Sequence, residues 1–292
     1  MSTAVIFGFT GQDGFYLRKL LKEKDVSVLG ISRKEMDIDC SLYDFDSLTR
    51  VLKKIKPEYI FNFAAISSTK HDVIFENHAT ISTGTCNLLE AVRQVSPYSR
   101  VLVSGSGLQF KNMGAPLDEN NEFCATSPYA IERNYTCYLS RYYRDRFDIR
   151  VYFPFLFTHD SPKRTECHMS SKIALAAKAA ANGKQIKLLV GDMSVEKEYL
   201  FAGDAVKAMW QLINQDHIYE AVIGTGKTYS IKDWAKACFD YVGLDYRDYI
   251  YEDNNFKSEY HRLVSNPKKI MSLGWKPKIN FTDLVKIMME EI

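Results

Sequence analysis

Tyr129 stands in the run Ser127-Pro128-Tyr129-Ala130, with Arg133 four residues further on. A hydroxyl residue followed by proline is a helix-start signature: the Ser takes the N-cap and the Pro ring suits the first helical position. The spacing therefore predicts a helix that carries Tyr129 on its first turn, with Arg133 one turn later on the same face. A permanent cation beside a phenol favours phenolate, and such a pair can give or take a proton at a carbonyl or alcohol oxygen. Taken alone, a Tyr and an Arg at this spacing are most often only a helix face. A second motif lies far upstream, where Gly8, Gly11 and Gly14 in GFTGQDG follow an apolar β-prone run and open a helical one. That is where the pyrophosphate of a dinucleotide rests on backbone N–H groups at a helix N-terminus. GxxGxxG is common by chance, and its place between a strand and a helix is what gives it content.

The second β-prone run ends in Gly30-Ile31-Ser32-Arg33-Lys34. An NAD enzyme places an acid there for the ribose 2′-OH, and an NADP enzyme places an Arg. The sequence offers no acid at that point. Ser32 and Arg33 suit a 2′-phosphate, and Arg33 can also stack on adenine; a solvated basic turn is the plainer alternative. NADP is the expected cofactor.

These residues need elements to hold them. Apolar runs at 4–9, 26–31, 59–64, 100–104 and 149–157 alternate with segments of helical period at 15–24, 45–55, 81–95 and 129–147. Strand and helix in turn mean βαβ units, hence an α/β fold with a doubly wound parallel sheet. Beyond 157 come a polar stretch, an Ala-rich helix at 173–181 and short strands, which suit a smaller lobe closing over a ligand. The expected division is a dinucleotide-binding domain over 1–158, with parts of 200–235 returning to it, and a mainly substrate-binding lobe over 159–292.

With 292 residues, 46% hydrophobic and 25% charged, the chain is long enough for two lobes and too apolar to be disordered. Its 38 basic against 36 acidic residues leave a net charge of +2, which gives no electrostatic case for nucleic acid or a membrane surface as partner. Cys40, Cys86, Cys124, Cys137, Cys167 and Cys238 form no CxxC pair, and His71, His78, His168 and His217 have no metal-ligand spacing, so reduced thiols and no metal are expected. Met209, Trp210, Trp234 and Trp275 read as core. The opening residues show no export or anchoring signal, so the expected location is the cytoplasm.

GFTGQDG, Asn62-Phe63-Ala64-Ala65, Ser104-Gly105-Ser106, SPYA and the Tyr129/Arg133 pair occur in the order found in the extended short-chain dehydrogenases/reductases, whose nucleotide-binding part is a Rossmann fold. The chain resembles that family over nearly its whole length. Within it, GFTGQDGFYL, HDSPKRTECHMSSKI, KLLVGDMSVEKEYLFAGDAVKAMW and NPKKIMSLGWKP resemble the GDP-mannose 4,6-dehydratases and related nucleotide-sugar reductases. The resemblance implies a pyrophosphate loop of Gly8, Thr10, Gly11, Gln12, Asp13 and Gly14, and a strip of Phe63, Ala64, Ala65 and Ser67 under the nicotinamide ribose. It implies Tyr129 as catalytic tyrosine, Ser106 as the hydroxyl that meets the sugar carbonyl, and His159 and Arg164 as residues that help hold NADP. It places Thr158, Lys187, Lys197 and Lys257 at or near contacts to a nucleotide-diphosphate sugar. It also implies a homodimer or homotetramer through the helices at 81–95 and 129–147.

Two positions depart from the family pattern. The signature YxxxK reads Tyr129-Ala130-Ile131-Glu132-Arg133 here, and the wide planar fork of Arg does not reproduce a compact ammonium. The dehydratases carry, two positions after the hydroxyl residue, a Glu that removes the C5 proton, where this chain has Leu108. Asp118 and Glu119 stand further along as substitutes, with no geometric reason to choose either. Hydride transfer at C4 survives both departures best, so a 4-ketoreductase or dehydrogenase is expected. A dehydratase with another base, an epimerase and a non-catalytic NADP-binding paralogue are the alternatives.

Overall fold

In the first strand, Val5 and Phe7 enter one apolar core while Ala4 and Ile6 enter another. Successive side chains of a strand point to opposite faces, so a strand apolar at every position must be covered on both sides. The structure is a computed structural model describing residues 2–32, 37, 38, 40–253 and 255–292. Through the first half, strands Thr3–Phe7 (β1), Ser27–Ile31 (β2), Tyr59–Asn62 (β3), Arg100–Val103 (β4), Gly105–Ser106 (β5) and Val151–Leu156 (β6) alternate with helices Gln12–Lys22 (α1), Phe45–Ile55 (α2), Ile74–Asn77 (α3), Gly84–Val95 (α4) and Pro128–Phe147 (α5). A π-helical turn, His78–Thr83, joins α3 to α4.

The second half holds His159–Asp160 (β7), Leu188–Val190 (β8), Glu196–Glu198 (β9), Leu200–Phe201 (β10), Glu220–Ile223 (β11), Thr228–Ser230 (β12), Ile250–Glu252 (β13) and Arg262–Leu263 (β14). Its helices are Met169–Ala181 (α6), Ala202–Ile213 (α7), Ile231–Tyr241 (α8), Lys268–Ser272 (α9) and Phe281–Glu291 (α10).

The central sheet has seven strands in the order β11-β6-β4-β3-β1-β2, with β5 beside β6. All of its pairings are parallel. One face is covered by α2, α4 and α5, through residues such as Leu48, Leu88 and Cys137. The other is covered by α1 and α7, through Leu17, Leu21, Met209 and Leu212. This is the doubly wound α/β sheet of a Rossmann fold. Strand β11 brings the chain back to that sheet from the second half. A third core, in which Ile173, Trp234, Phe239 and Leu284 meet, unites α6, α8 and α10 beyond it. Met209, Trp234 and Trp275 are buried, and Trp210 packs partly buried against the second core.

One local break matters for the site. The ladder between β4 and β6 holds at Val101 and Leu102, lapses, and resumes at Gly105 and Ser106. Pro154, with no N–H to donate, falls in the lapse. The strand that the sequence predicts over 100–104 therefore ends one residue early, and Ser106 sits on a separate short strand.

Candidate active site

The glycine loop is built for close approach. Gly8 has φ +79°, and a Cβ there would stand 3.0 Å from Ala64 N and Phe63 C. Gly14 lies against the Phe9 backbone, so any side chain would collide with it. Gly11 is the N-cap of α1 and offers no side chain to the helix. The N–H groups of Gln12, Asp13 and Gly14 thus open α1 with no carbonyl one turn earlier to take them, which fits a pyrophosphate.

The side chains of that loop are engaged elsewhere. Gln12 Nε2 donates to His159 O at 3.1 Å, and Ser161 Oγ donates to Gln12 Oε1 at 3.0 Å. His159 Nε2 meets the Asp13 carboxylate at 3.0 and 3.2 Å while its Nδ1 bonds Phe157 O at 2.8 Å. Burial pushes the Asp13 carboxyl up, but His159, Arg164 and Arg133 together outweigh it and hold the group below its usual range. Burial likewise pushes His159 down, and Asp13 reverses the sign, so the imidazole sits above its usual value. The pair is an ion pair joining α1 to β7. Arg164 Nη1 donates to His159 O at 2.8 Å, and its Nη2 lies 3.2 Å from His168 Nδ1. Burial first, then the Arg164 charge, bring His168 down to about 4. Lys197 is lowered by burial as well, with Asp160 opposing, and Asp160 is held below its usual range against burial chiefly by Arg164 and Lys197.

Helix α5 begins as the sequence predicts: Ser127 Oγ accepts the Ala130 N–H at 3.3 Å with Pro128 at the first position. Tyr129 is half-buried. The Arg133 guanidinium carbon lies 5.1 Å from the Tyr129 ring centroid, a cation–π distance. Arg133 is 5% exposed, its Nη1 donates to the Ser104 carbonyl and lies 3.2 Å from Ser104 Oγ, and its Nε is buried with no acceptor among the described residues. A donor left in that state costs about 1–3 kcal/mol unless a ligand oxygen takes it, which fits a ribose hydroxyl. Ser106 Oγ accepts the Leu108 N–H at 3.2 Å, so its own proton is free for a substrate oxygen.

Leu108 packs half-buried against the core shared by α2, α4 and α5. Both acidic substitutes are tied to other residues. Glu119 accepts the Val222 N–H at 2.5 Å and pairs with Lys269 at 3.3 Å. Asp118 takes the Asn120 N–H at 2.9 Å and Asn266 Nδ2 at 3.3 Å.

Of the strip after β3, Phe63, Ala64 and Ala65 are half-buried and Ser67 is exposed, as is Thr10. The Thr158 carbonyl accepts the Leu200 N–H at 3.2 Å, and Lys187 and Lys257 are exposed. Ser32 is described at the end of β2, whereas Arg33 lies outside the described residues. One expectation needs correction there, because an acid does stand at the end of β2. Asp37 Oδ2 accepts the Gly30 N–H at 2.7 Å, and Asp37 N donates to Gly30 O at 2.8 Å. Strand β2 is the sheet edge, and Asp37 bonds both the N–H and the carbonyl of Gly30 there. Sequence reasoning also missed Glu132, which accepts from Ser82 Oγ and lies 3.2 Å from His78 Nδ1, and Gln109, fully buried beside Ser106. The only signal in either case was a polar residue in a helical or apolar run.

The family described as GDP-mannose 4,6 dehydratase matches residues 5–288 of the chain. The GDP-mannose 4,6 dehydratase 1 of Arabidopsis thaliana is 30% identical over 99% of this chain and 89% of its own length. That of Drosophila melanogaster is 27% identical over 98% and 85%. Among solved structures, RMD from Pseudomonas aeruginosa, complexed with NADPH, superposes with a TM-score of 0.89 over 100% of this chain and 98% of that one, at 18% identity. The UDP-glucose 4-epimerase of Thermus thermophilus, in complex with NAD, gives 0.86 over 99% and 98%, also at 18%. The two structures speak for the fold. The match over almost the full length, with the glycine loop and the Tyr129 helix in place, means that the chain belongs to the GDP-mannose 4,6-dehydratase family of the extended short-chain dehydrogenases/reductases.

Proposed function

We propose that the protein is an NADP-dependent oxidoreductase acting at C4 of a nucleotide-activated deoxysugar, as a 4-ketoreductase or as the dehydrogenase running the same step in reverse. The observation that carries this reading is Leu108: Tyr129 and Ser106 are present while the position for a C5 base is apolar, and the acids further along, Asp118 and Glu119, are bonded to other residues. Bound nicotinamide supplies or accepts the hydride. Tyr129 gives a proton to the C4 oxygen, Ser106 donates a hydrogen bond to it, and Arg133 keeps positive charge beside the phenol and a free Nε for the ribose. Residues of the half over 1–158 would hold the cofactor. Thr158, Lys187, Lys197 and Lys257, from the lobe at 159–292 and its border, meet the nucleotide diphosphate. The working form is cytoplasmic and at least a dimer.

A 4,6-dehydratase is the second reading, favoured by the full-length family match. The two differ in stoichiometry, because a dehydratase regenerates its cofactor in each turnover and a reductase consumes one NADPH per sugar. Incubation with NADPH and a panel of 4-keto-6-deoxy nucleotide sugars should give reduced products with equal loss of NADPH absorbance. GDP-mannose in deuterated water should show no label at C5; label there, with a 4-keto-6-deoxy product and no NADPH loss, overturns the reductase.

Cofactor choice has two competing residues. Arg33 favours the 2′-phosphate of NADP, whereas Asp37, bonded to Gly30 of β2, brings an acid beside that strand. Its carboxylate is already bonded to Gly30, which leaves the advantage with NADP. Parent titrations should show NADPH bound more tightly than NADH, with R33A weakening NADPH by about 1.5–3 kcal/mol. Equal binding of the two by the parent rejects the assignment.

A further inference from the structure

Two consecutive residues of α5 grip the segment that carries Ser106 from both sides. Ahead of it, Arg133 Nη1 donates to the Ser104 carbonyl. Behind it, Gln109 Nε2 donates to Asn134 Oδ1 at 3.2 Å, and Gln109 Oε1 accepts the Ser106 N–H at 2.7 Å. Gln109 is wholly buried, at 0% exposure. An apolar side chain of similar size would fill that space without desolvating an amide. What the amide adds is a link with a partner at each end, the Ser106 N–H on its oxygen and Asn134 on its nitrogen. The link also needs Gly105, because a Cβ there would stand 2.7 Å from Gln109 Oε1 and run into the Phe153 ring.

We propose that Gln109 and Asn134 are positioning residues that fix the separation between Ser106 and Tyr129, through one hydrogen-bonded relay from the Ser106 N–H to helix α5. Tyr129 sits on the first turn of that helix and Asn134 five residues further along it, so the helix transmits the anchor to the phenol. The Ser106 hydroxyl accepts the Leu108 N–H within the same turn, so fixing the turn fixes where the hydroxyl oxygen stands. The inference rests on the reading of Ser106 and Tyr129 as the pair that meets the C4 oxygen. Misplacing a reacting group by about 1 Å can cost on the order of a hundredfold in rate.

The test uses Q109L, N134L, the double variant and N134D. Steady-state kinetics would be run with NADPH and a 4-keto-6-deoxy nucleotide sugar, and hydrogen exchange of the Ser106 amide would be followed separately. Each Leu variant should lower kcat about ten- to hundredfold with KM within about twofold. The double variant should be no worse than either single one, because both break the same relay. N134D keeps the acceptor and should recover most of the loss. The Ser106 amide should exchange at least about tenfold faster in N134L, although Asn134 bonds to Gln109 and not to Ser106. Losses that add in the double variant, N134D falling as far as N134L, or Ser106 exchange unchanged in N134L each overturn the proposal. If the parent turns over no such sugar, the functional reading fails by itself, and the exchange result alone decides the relay: acceleration in N134L sustains it and no change rejects it.

Discussion

Arg133 stands where the family signature has a lysine, and the geometry of its fork decides which contacts the side chain makes. Its Nη1 is committed to Ser104, its guanidinium carbon stands 5.1 Å from the Tyr129 ring centroid, and Nε is left over, buried and without an acceptor among the described residues. A positive charge therefore stands beside the phenol ring, and one buried donor is left for a ligand. Substituting Arg133→Met removes that donor and leaves the Ser104 carbonyl without it. Cofactor affinity should fall by about 1.5–3 kcal/mol, roughly ten- to hundredfold in Kd, as read by fluorescence titration; unchanged affinity would make Arg133 a packing residue only. Tyr129→Phe separates chemistry from binding. It keeps the ring beside Arg133 and deletes the proton, so kcat should drop about 10²–10⁴-fold with little change in cofactor Kd. Activity surviving that substitution would remove Tyr129 from the mechanism.

At the level of elements, the tie between α1 and β7 carries a pH signature. His159 is raised above its ordinary 6.5, so its contribution is complete below that pH and fades as pH climbs through the folded-state value. Asp13 is lowered from 3.8, so its contribution is complete above that pH and fades as pH falls through the folded-state value. The ion pair should thus stabilise most between about pH 4 and 6.5. Thermal melts of the parent and Asp13→Asn should differ most in that window and converge on the alkaline side; a gap independent of pH would mean that Asp13 acts without its charge. The sequence foretold neither this tie nor the Gly30–Asp37 fold-back, although all the residues involved were in plain view. Periodicity and glycine spacing report on the backbone within one element, which is why β1, α1 and the start of α5 were legible. Pairs such as Asp13–His159 or Gln109–Asn134 depend on how elements pack against one another, and residue types do not name their partners. The lapse at Pro154 was visible as a proline in an apolar run, yet its consequence, a separate strand for Ser106, needed the register of β6 against β4 and β5.

On the scale of the whole molecule, helix α5 presents two faces of different character. Its inner face carries Arg133, Cys137, Ser140 and Tyr143 into the protein, while Ile131, Tyr135, Tyr138 and Tyr142 stand out at 49%, 45%, 59% and 54% exposure. Those four recur at i, i+4, i+7 and i+11, which lines them up as one apolar stripe along the helix. Isolated exposed apolar residues are ordinary, but an aligned aromatic stripe on a long helix marks an association surface. The stripe lies on the element that bears Tyr129, so pairing through it would stiffen the helix on which that phenol is mounted. A second copy of the chain, meeting the first through the same stripe about a two-fold axis, is the occupant that the dimer reading requires. Sedimentation of the parent should therefore show a dimer or tetramer at micromolar concentration. Tyr138→Glu combined with Ile131→Glu should shift it to monomer, by placing like charges opposite each other across that axis. Within the monomer these positions are half exposed, so direct unfolding costs should stay within about 0.5 kcal/mol. A folded variant that remains dimeric would move the interface elsewhere. A parent that sediments as a monomer would leave the stripe without its partner.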